Sequence, residues 1–178
     1  MIKGCIGFVD FGRSNTFFGN AIKLFTWSRW SHSFIVIDEE NILEANEHVE
    51  VSPISSIRDR DGASYELYEI VEASIGRKAE AIEYCRKNYE GNEYGYMQIL
   101  FFVFRAIYRL FGQDFRGNIF TQGVICSELT YDYEARVMPQ FVTLAKAWGF
   151  DEQTCTPQDL YEIVQANPHL YKLIESKQ

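Results

Sequence analysis

The sequence lacks the features that mark a nucleic-acid binder or a multidomain protein. Its 17 basic residues are scattered among 25 acidic ones, and the formal net charge is −8. A nucleic-acid binder usually presents a basic stripe, so we expect no nucleic-acid partner. The chain also has no internal repeat, no low-complexity tract and no linker rich in proline, glycine or serine. We therefore expect one domain over residues 1–178.

Cysteine and histidine are both scarce. The four cysteines are Cys5, Cys85, Cys126 and Cys155. They are widely spaced and form no CxxC pair, which excludes a recognisable zinc site or disulfide framework. Free thiols are typical of a reducing compartment, and no motif calls for a cofactor, so none is expected. With only three histidines in the chain, few side chains are candidates for a general base.

Long hydrophobic runs are missing as well. The N-terminal stretch "MIKGCIGFVDFGRS" has no signal-peptide core of adequate length. The most apolar stretch, "MQILFFVFRAIYRLF", is too short for a membrane span and is interrupted by Arg105 and Arg109. We expect a cytoplasmic protein without a transmembrane segment, and a trimmed export signal leaves an exported form open. No pattern indicates an oligomeric state.

The remaining pattern predicts strands and helices that do not alternate as βαβ units. Five predicted strands share alternating or β-branched apolar residues: "GCIGFVDF", "SFIVI", "ILEA", "HVEVSP" and "SYELYEIV". Five predicted helices show apolar spacings of three or four: "SNTFFGNAIKLFTW", "RKAEAIEYCRKNYEG", "EYGYMQILFFVFRAIYRLFG", "CSELTYDYEARVM" and "TPQDLYEIVQAN". Helices beside an antiparallel meander indicate an α+β fold.

Cys126 is the candidate nucleophile because it begins a predicted helix within "VICSEL". The unpaired N–H groups and the dipole of a helix N-terminus stabilise a thiolate, and the same groups can face a developing oxyanion. Glu128, in the first turn, opposes the thiolate unless its carboxylate points away. A buried structural cysteine is the alternative interpretation.

His32 is the candidate general base, and Glu44 is the candidate residue that orients it. His32 stands at the start of the "SHSFIVI" strand, where the backbone is fixed. If "DEEN" is the turn of a hairpin, Glu44 on the next strand comes near His32 and can accept its ring N–H. The alternatives are a half-buried structural histidine and a surface glutamate.

The other two histidines are weaker candidates. His48 stands between acidic residues in "EANEHVE", but Asn46, His48 and Glu50 share one strand face with too few converging ligands for a metal. A solvated face is the better interpretation. His169, near the C-terminus, is expected on the surface.

In combination, five stretches resemble the permuted NlpC-type papain-like cysteine hydrolases, and within them the YiiX-like branch. They follow in the order "SHSFIVI", "ILEANEHVEVSPI", "EYGYMQIL", "VICSEL" and "TPQDLY". The resemblance runs from about Cys5 to Leu160 and implies a papain-like domain with a small antiparallel sheet flanked by helices. It also implies that Cys126 is the nucleophile, His32 the base and Glu44 the orienting residue.

Two features depart from this family. Its members often have glycine two residues after the histidine, where this chain has Phe34. The larger ring either narrows the pocket or turns into the core. Many exported relatives also carry a signal sequence, so a cell-wall substrate would require another route of delivery.

The sequence therefore predicts a thiol-dependent peptidase or amidase that acts on a peptide or a small acyl substrate. Two alternatives remain. One is an acyltransferase or lipid esterase of the lecithin:retinol acyltransferase type, in which the apolar helix from Met97 to Phe111 serves the acyl chain. The other is a binding module that keeps the fold without catalysis.

Overall fold

A computed structural model describes residues 2–12, 28–93, 95 and 124–178 of the chain. The strands are β1 (Ile6–Asp10), β2 (His32–Val36), β3 (Asn41–Ala45), β4 (Val49–Pro53), β5 (Ser64–Ile70) and β6 (Tyr171–Lys177). The helices are α1 (Ser55–Arg58), α2 (Ile75–Tyr89), α3 (Cys126–Val137), α4 (Gln140–Ala147) and α5 (Pro157–Ala166).

The six strands form one antiparallel sheet in the order β4-β3-β2-β1-β5-β6. Strands β2, β3 and β4 are consecutive hairpins, as expected from the short connections between them. Helices α2 and α3 pack against each other, and α3 also packs against β2. The α+β class predicted from the sequence is confirmed.

Apolar side chains cover both faces of the sheet. Alternate residues of β2 point to opposite faces, so Ile35 belongs to the larger core beneath α2, α3 and α5, whereas Phe34 and Val36 belong to the smaller one. The smaller core is closed by Ile54 and Ile57, at and within the short helix α1. His32, the first residue of β2, shares its face with Phe34 and therefore lies at the margin of the smaller core.

The five predicted strands are confirmed, and so are three predicted helices, which correspond to α2, α3 and α5. Helix α5 begins as its sequence indicates: Thr156 accepts a hydrogen bond from the Asp159 backbone, and Pro157 occupies the first helical position. The predicted helix of residues 14–27 lies outside the described residues. So do the predicted helix of residues 93–112, apart from Glu93 and Gly95, and the extended segment before Cys126, apart from its last two residues. Strand β6 and helices α1 and α4 were not predicted.

Phe34 turns into the core. It is fully buried and stands opposite Gly7 of β1. A β-carbon added to Gly7 would lie 2.1 Å from the Phe34 ring. Gly7 therefore makes room for the ring, which explains how the strand accommodates phenylalanine at this position.

Cys155 is buried and lies against the start of α3. Its carbonyl accepts a hydrogen bond from the Ser127 hydroxyl at 2.8 Å, and its thiol lies 3.7 Å from the Ser127 carbonyl. These contacts hold the segment before α5 against the first turn of α3. Within the described part of the chain, no helix combines the length and apolarity needed to cross a membrane.

Candidate active site

The β2–β3 hairpin brings His32 and Glu44 together. Glu44 pairs with Phe34 in the register of the hairpin, so its side chain lies on the same face as His32, diagonally across the two strands. The His32 Nε2 atom lies 2.8 Å from Glu44 Oε2. Both side chains are buried, at 6% and 4% relative exposure. A buried charged side chain requires a partner, and each of these two supplies one to the other.

Cys126 is the first residue of α3, as its sequence indicates. The helix start is fixed to β2 by Ser33, whose hydroxyl donates to the Cys126 carbonyl at 3.1 Å. The Thr130 hydroxyl lies 3.0 Å from both the Ser33 hydroxyl and the Cys126 carbonyl. These buried contacts join two segments 93 positions apart in the chain, and they set the position of Cys126 relative to the strand that carries His32.

The side chains of Cys126 and His32 interact directly. Burial lowers the pKa of His32, but the charge of Cys126 and a side-chain hydrogen bond with it, together with Glu44, outweigh burial and raise the pKa to about 10. Since Nε2 bonds to Glu44, Nδ1 is the ring nitrogen left to face the sulfur. The attraction that favours the imidazolium equally favours the thiolate, because the two groups titrate as a pair.

Glu44 is ionised at this site. Burial alone would raise its pKa, but the hydrogen bond and charge of His32 and a hydrogen bond with Ser52 lower it overall. Ser52 lies on β4, two residues from the position opposite Glu44. No local sequence pattern marks Ser52, because only the register of a third strand places it beside Glu44.

Phe11 is a second residue that the sequence did not single out. Its ring centroid lies 5.8 Å from that of His32, with the planes inclined by 32°. Phe11 follows β1, and its N–H donates to the Ser31 hydroxyl at 3.4 Å, next to His32 in the chain. The ring therefore covers part of the imidazole and keeps water from one side of the buried ion pair.

The Glu128 carboxylate turns back towards the start of its helix. Its Oε2 atom accepts the Ile125 N–H at 3.5 Å, which is the contact of a capping box. The carboxylate is thereby held at the N-terminal end of α3 by a backbone donor.

The other three cysteines differ from Cys126 in their surroundings. Burial raises the pKa of Cys5 to about 11 and that of Cys85 to about 12, and it raises the pKa of Cys155 well above its ordinary value. No histidine contributes to any of these shifts. All four thiols are buried, so an imidazole partner, rather than exposure, sets Cys126 apart.

The remaining histidines stay away from this site. His48 and His169 are both exposed, and His48 forms an isolated backbone bridge with Glu93. In the described ranges, no three His, Cys, Asp or Glu side chains are grouped so that they could hold a metal ion. The structure thus brings together Cys126, His32 and Glu44 from three separate elements.

Comparison with known proteins adds one structural likeness. No protein-family model matches the chain, and no curated protein matches it. Among solved structures, it is similar to the metalloprotein YiiX from Escherichia coli O157:H7, with a TM-score of 0.62 and 16% identity. The match covers 98% of this chain and 97% of that one.

The chain has a YiiX-like fold. Because the match extends over nearly the whole of both chains, the similarity to YiiX concerns the complete arrangement of sheet and helices rather than one shared motif. At this identity the likeness to YiiX shows the fold and nothing about the chemistry. Any inference about chemistry depends on the geometry of the side chains described above.

Proposed function

We propose that the protein is a cysteine hydrolase that cleaves an amide bond through Cys126, His32 and Glu44, on a permuted NlpC-type papain-like domain of the YiiX-like branch. The observation that carries the proposal is the buried chain of contacts from Cys126 through His32 to Glu44. A nucleophile, a base and a group that orients the base are the parts that such chemistry requires.

In the first half of the reaction, the Cys126 thiolate attacks the substrate carbonyl carbon and forms a C–S bond, while the carbonyl electrons move to oxygen. The N-terminal end of α3, with the Cys126 N–H as proposed donor, stabilises that oxyanion. The His32 imidazolium then gives its proton to the amine as the C–N bond breaks. The amine leaves, and an acyl group remains on the sulfur.

In the second half, neutral His32 takes a proton from water as the water oxygen attacks the thioester carbon. The C–S bond breaks, the carboxylic acid product is released, and the thiolate–imidazolium pair is restored. Glu44 takes part in neither transfer. Its carboxylate fixes the ring orientation through Nε2 and stabilises the imidazolium each time it forms.

The name of YiiX includes the word metalloprotein, which raises the question of whether these residues fit a metal. Within the described residues, the side chains do not fit a metal centre. His32 contacts Glu44 through one ring nitrogen and Cys126 through the other, so the three side chains do not converge on one point. The mechanism therefore uses no metal.

A panel of activated substrates tests the proposal. Peptidyl aminocoumarin amides and p-nitrophenyl acyl esters of increasing chain length would be incubated with the native protein and with Cys126→Ala. We expect the native protein to cleave amides, with an acyl adduct on Cys126 visible by intact mass for the faster-acylating esters. Cleavage of long-chain esters alone would instead support a lipid esterase or acyltransferase. Equal rates for the Cys126→Ala variant would refute thiol catalysis.

A further inference from the structure

An exposed arginine lies beside the proposed catalytic histidine. The Arg60 Cζ atom stands 4.5 Å from the centre of the Phe11 ring, and the Phe11 ring centroid is 5.8 Å from that of His32. These two distances together limit the separation of the guanidinium and the imidazole to about 10 Å. Arg60 and His32 thus both lie against the Phe11 ring.

The loop that carries Arg60 is anchored at several points. Lys177 of β6 donates to the carbonyl of Arg58 at 2.9 Å and to that of Arg60 at 3.1 Å. A β-carbon added to Gly12 would lie 2.7 Å from the Gly62 carbonyl oxygen. The loop therefore packs closely against the turn that follows Phe11, so the position of Arg60 over the ring is a consequence of backbone packing.

The guanidinium of Arg60 forms no ion pair within the residues that the structure describes. No ion pair links its guanidinium to any described carboxylate, although Asp59 and Asp61 flank it in the chain and are exposed. Other arginines differ: Arg29 pairs with Glu66 at 3.3 Å, and Arg58 pairs with Glu175. A guanidinium without an ion pair to a described carboxylate, close to the proposed site, can bind an anionic ligand.

We infer that Phe11 and Arg60 form a substrate subsite, in which the ring supports the substrate chain and the guanidinium binds an anionic group. The inference rests on the proposed function, because it takes Cys126 as the point of attack. An extended chain advances about 3.3–3.6 Å per residue. The guanidinium lies at most about 10 Å from the imidazole, and an ion pair spans up to about 4 Å of that distance. The anionic group, a carboxylate in a peptide-like substrate, therefore lies within about two residue lengths of the scissile carbonyl. The preferred substrates are anionic peptides rather than neutral or cationic ones.

Two alkylating probes of matched shape test this subsite. The first probe, N-iodoacetyl-glycylglycine, carries a carboxylate about two residue lengths from the reactive carbon. The second probe is the C-terminal amide of the same compound, which is neutral. The measurement is the ratio of the rates at which the two probes label Cys126, followed by peptide mass mapping. A ratio of rates cancels the intrinsic reactivity of the thiol.

We expect Arg60→Gln to lower the carboxylate-to-amide ratio about two- to fivefold, which is the effect of one solvent-exposed ion pair. Arg60→Glu should lower it further, and added salt should shrink the difference. Arg136→Gln is the matched control. Arg136 also stacks on a ring, that of Tyr84, and its loss changes the net charge equally. Ten residues along α3 from Cys126, it lies about 15 Å away and should leave the ratio unchanged.

Failure of the subsite and failure of the enzyme proposal give different results. If His32→Ala does not slow labelling by the neutral probe, the catalytic proposal fails whatever the ratio. A second measurement needs no thiol: in Cys126→Ala, acetyl-glycylglycine should shift the Arg60 Nε–H resonance in a ¹⁵N-correlated spectrum, and its amide should not. The subsite is overturned if the resonance does not move, or if Arg60→Gln and Arg136→Gln change the ratio equally.

Discussion

Replacing Glu44 by glutamine keeps the shape of the side chain and removes the charge that faces His32. The Nε2–Oε2 contact is 2.8 Å long, and both groups are almost fully buried. A hydrogen bond to a charged partner contributes about 1.5–3 kcal/mol, and a neutral one contributes about 0.5–1.5 kcal/mol. The difference of about 1–1.5 kcal/mol corresponds to about one pKa unit. We therefore expect Glu44→Gln to lower the pKa of His32 by about one unit.

The assay is an NMR titration of the His32 Cε1–H signal, assigned with His48→Ala and His169→Ala. It should be run in a Cys126→Ala background, because the thiol and the imidazole otherwise titrate as one coupled system. The matched control is Glu50→Gln, since Glu50 stands directly opposite Glu44 on β4 and carries the same charge without bonding to His32. An unchanged pKa in Glu44→Gln, or an equal change in Glu50→Gln, would refute the role of Glu44 as the partner of His32.

Three further predictions follow from the same structure. Cys126→Ala and His32→Ala should each abolish substrate cleavage without unfolding the protein. Glu44→Gln should retain partial activity, and His48→Ala should have little effect. An inactive His48 variant beside an active His32 variant would contradict the assignment of His32 as the base. Burial raises the pKa of Glu134 to about 8, against an unfolded value of 4.5, so the free energy of unfolding should fall by about 1.4 kcal/mol per pH unit as pH rises through that window. Urea unfolding should show this slope, and Glu134→Gln should remove it. Gly7→Ala should cost about 1–3 kcal/mol of stability, measured by urea unfolding, because its methyl group would overlap the Phe34 ring.

The secondary structure was predictable where the local pattern was strong. The continuous apolar run in β2 and the turn before β3 defined a hairpin, and the two-residue period placed His32 and Glu44 on one face. Strand β6 was missed because most of its residues are exposed or half-buried and do not alternate between apolar and polar. The strand is held by its pairing with β5, which its own sequence does not indicate.

The contacts of the site required information that no local pattern contains. Cys126 reaches His32 because Ser33 and Thr130 fix the start of α3 against β2, and such long-range packing depends on the whole core. Phe11 and Ser52 were missed for the same reason. The burial of Cys155 likewise depends on a long-range contact, the hydrogen bond that its carbonyl accepts from the Ser127 hydroxyl in the first turn of α3.

The central claim, that Cys126 is a nucleophile activated by His32, can be tested without any substrate. The measurement is mass-spectrometric mapping of iodoacetamide labelling over time at mildly acidic pH, in the native protein and in His32→Ala. Burial keeps Cys5, Cys85 and Cys155 protonated, and the thiolate is the reactive form. We predict that Cys126 is labelled first and that His32→Ala slows its labelling. Labelling of Cys126 no faster than that of Cys155, or independent of His32, would contradict the claim and favour a binding module without catalysis.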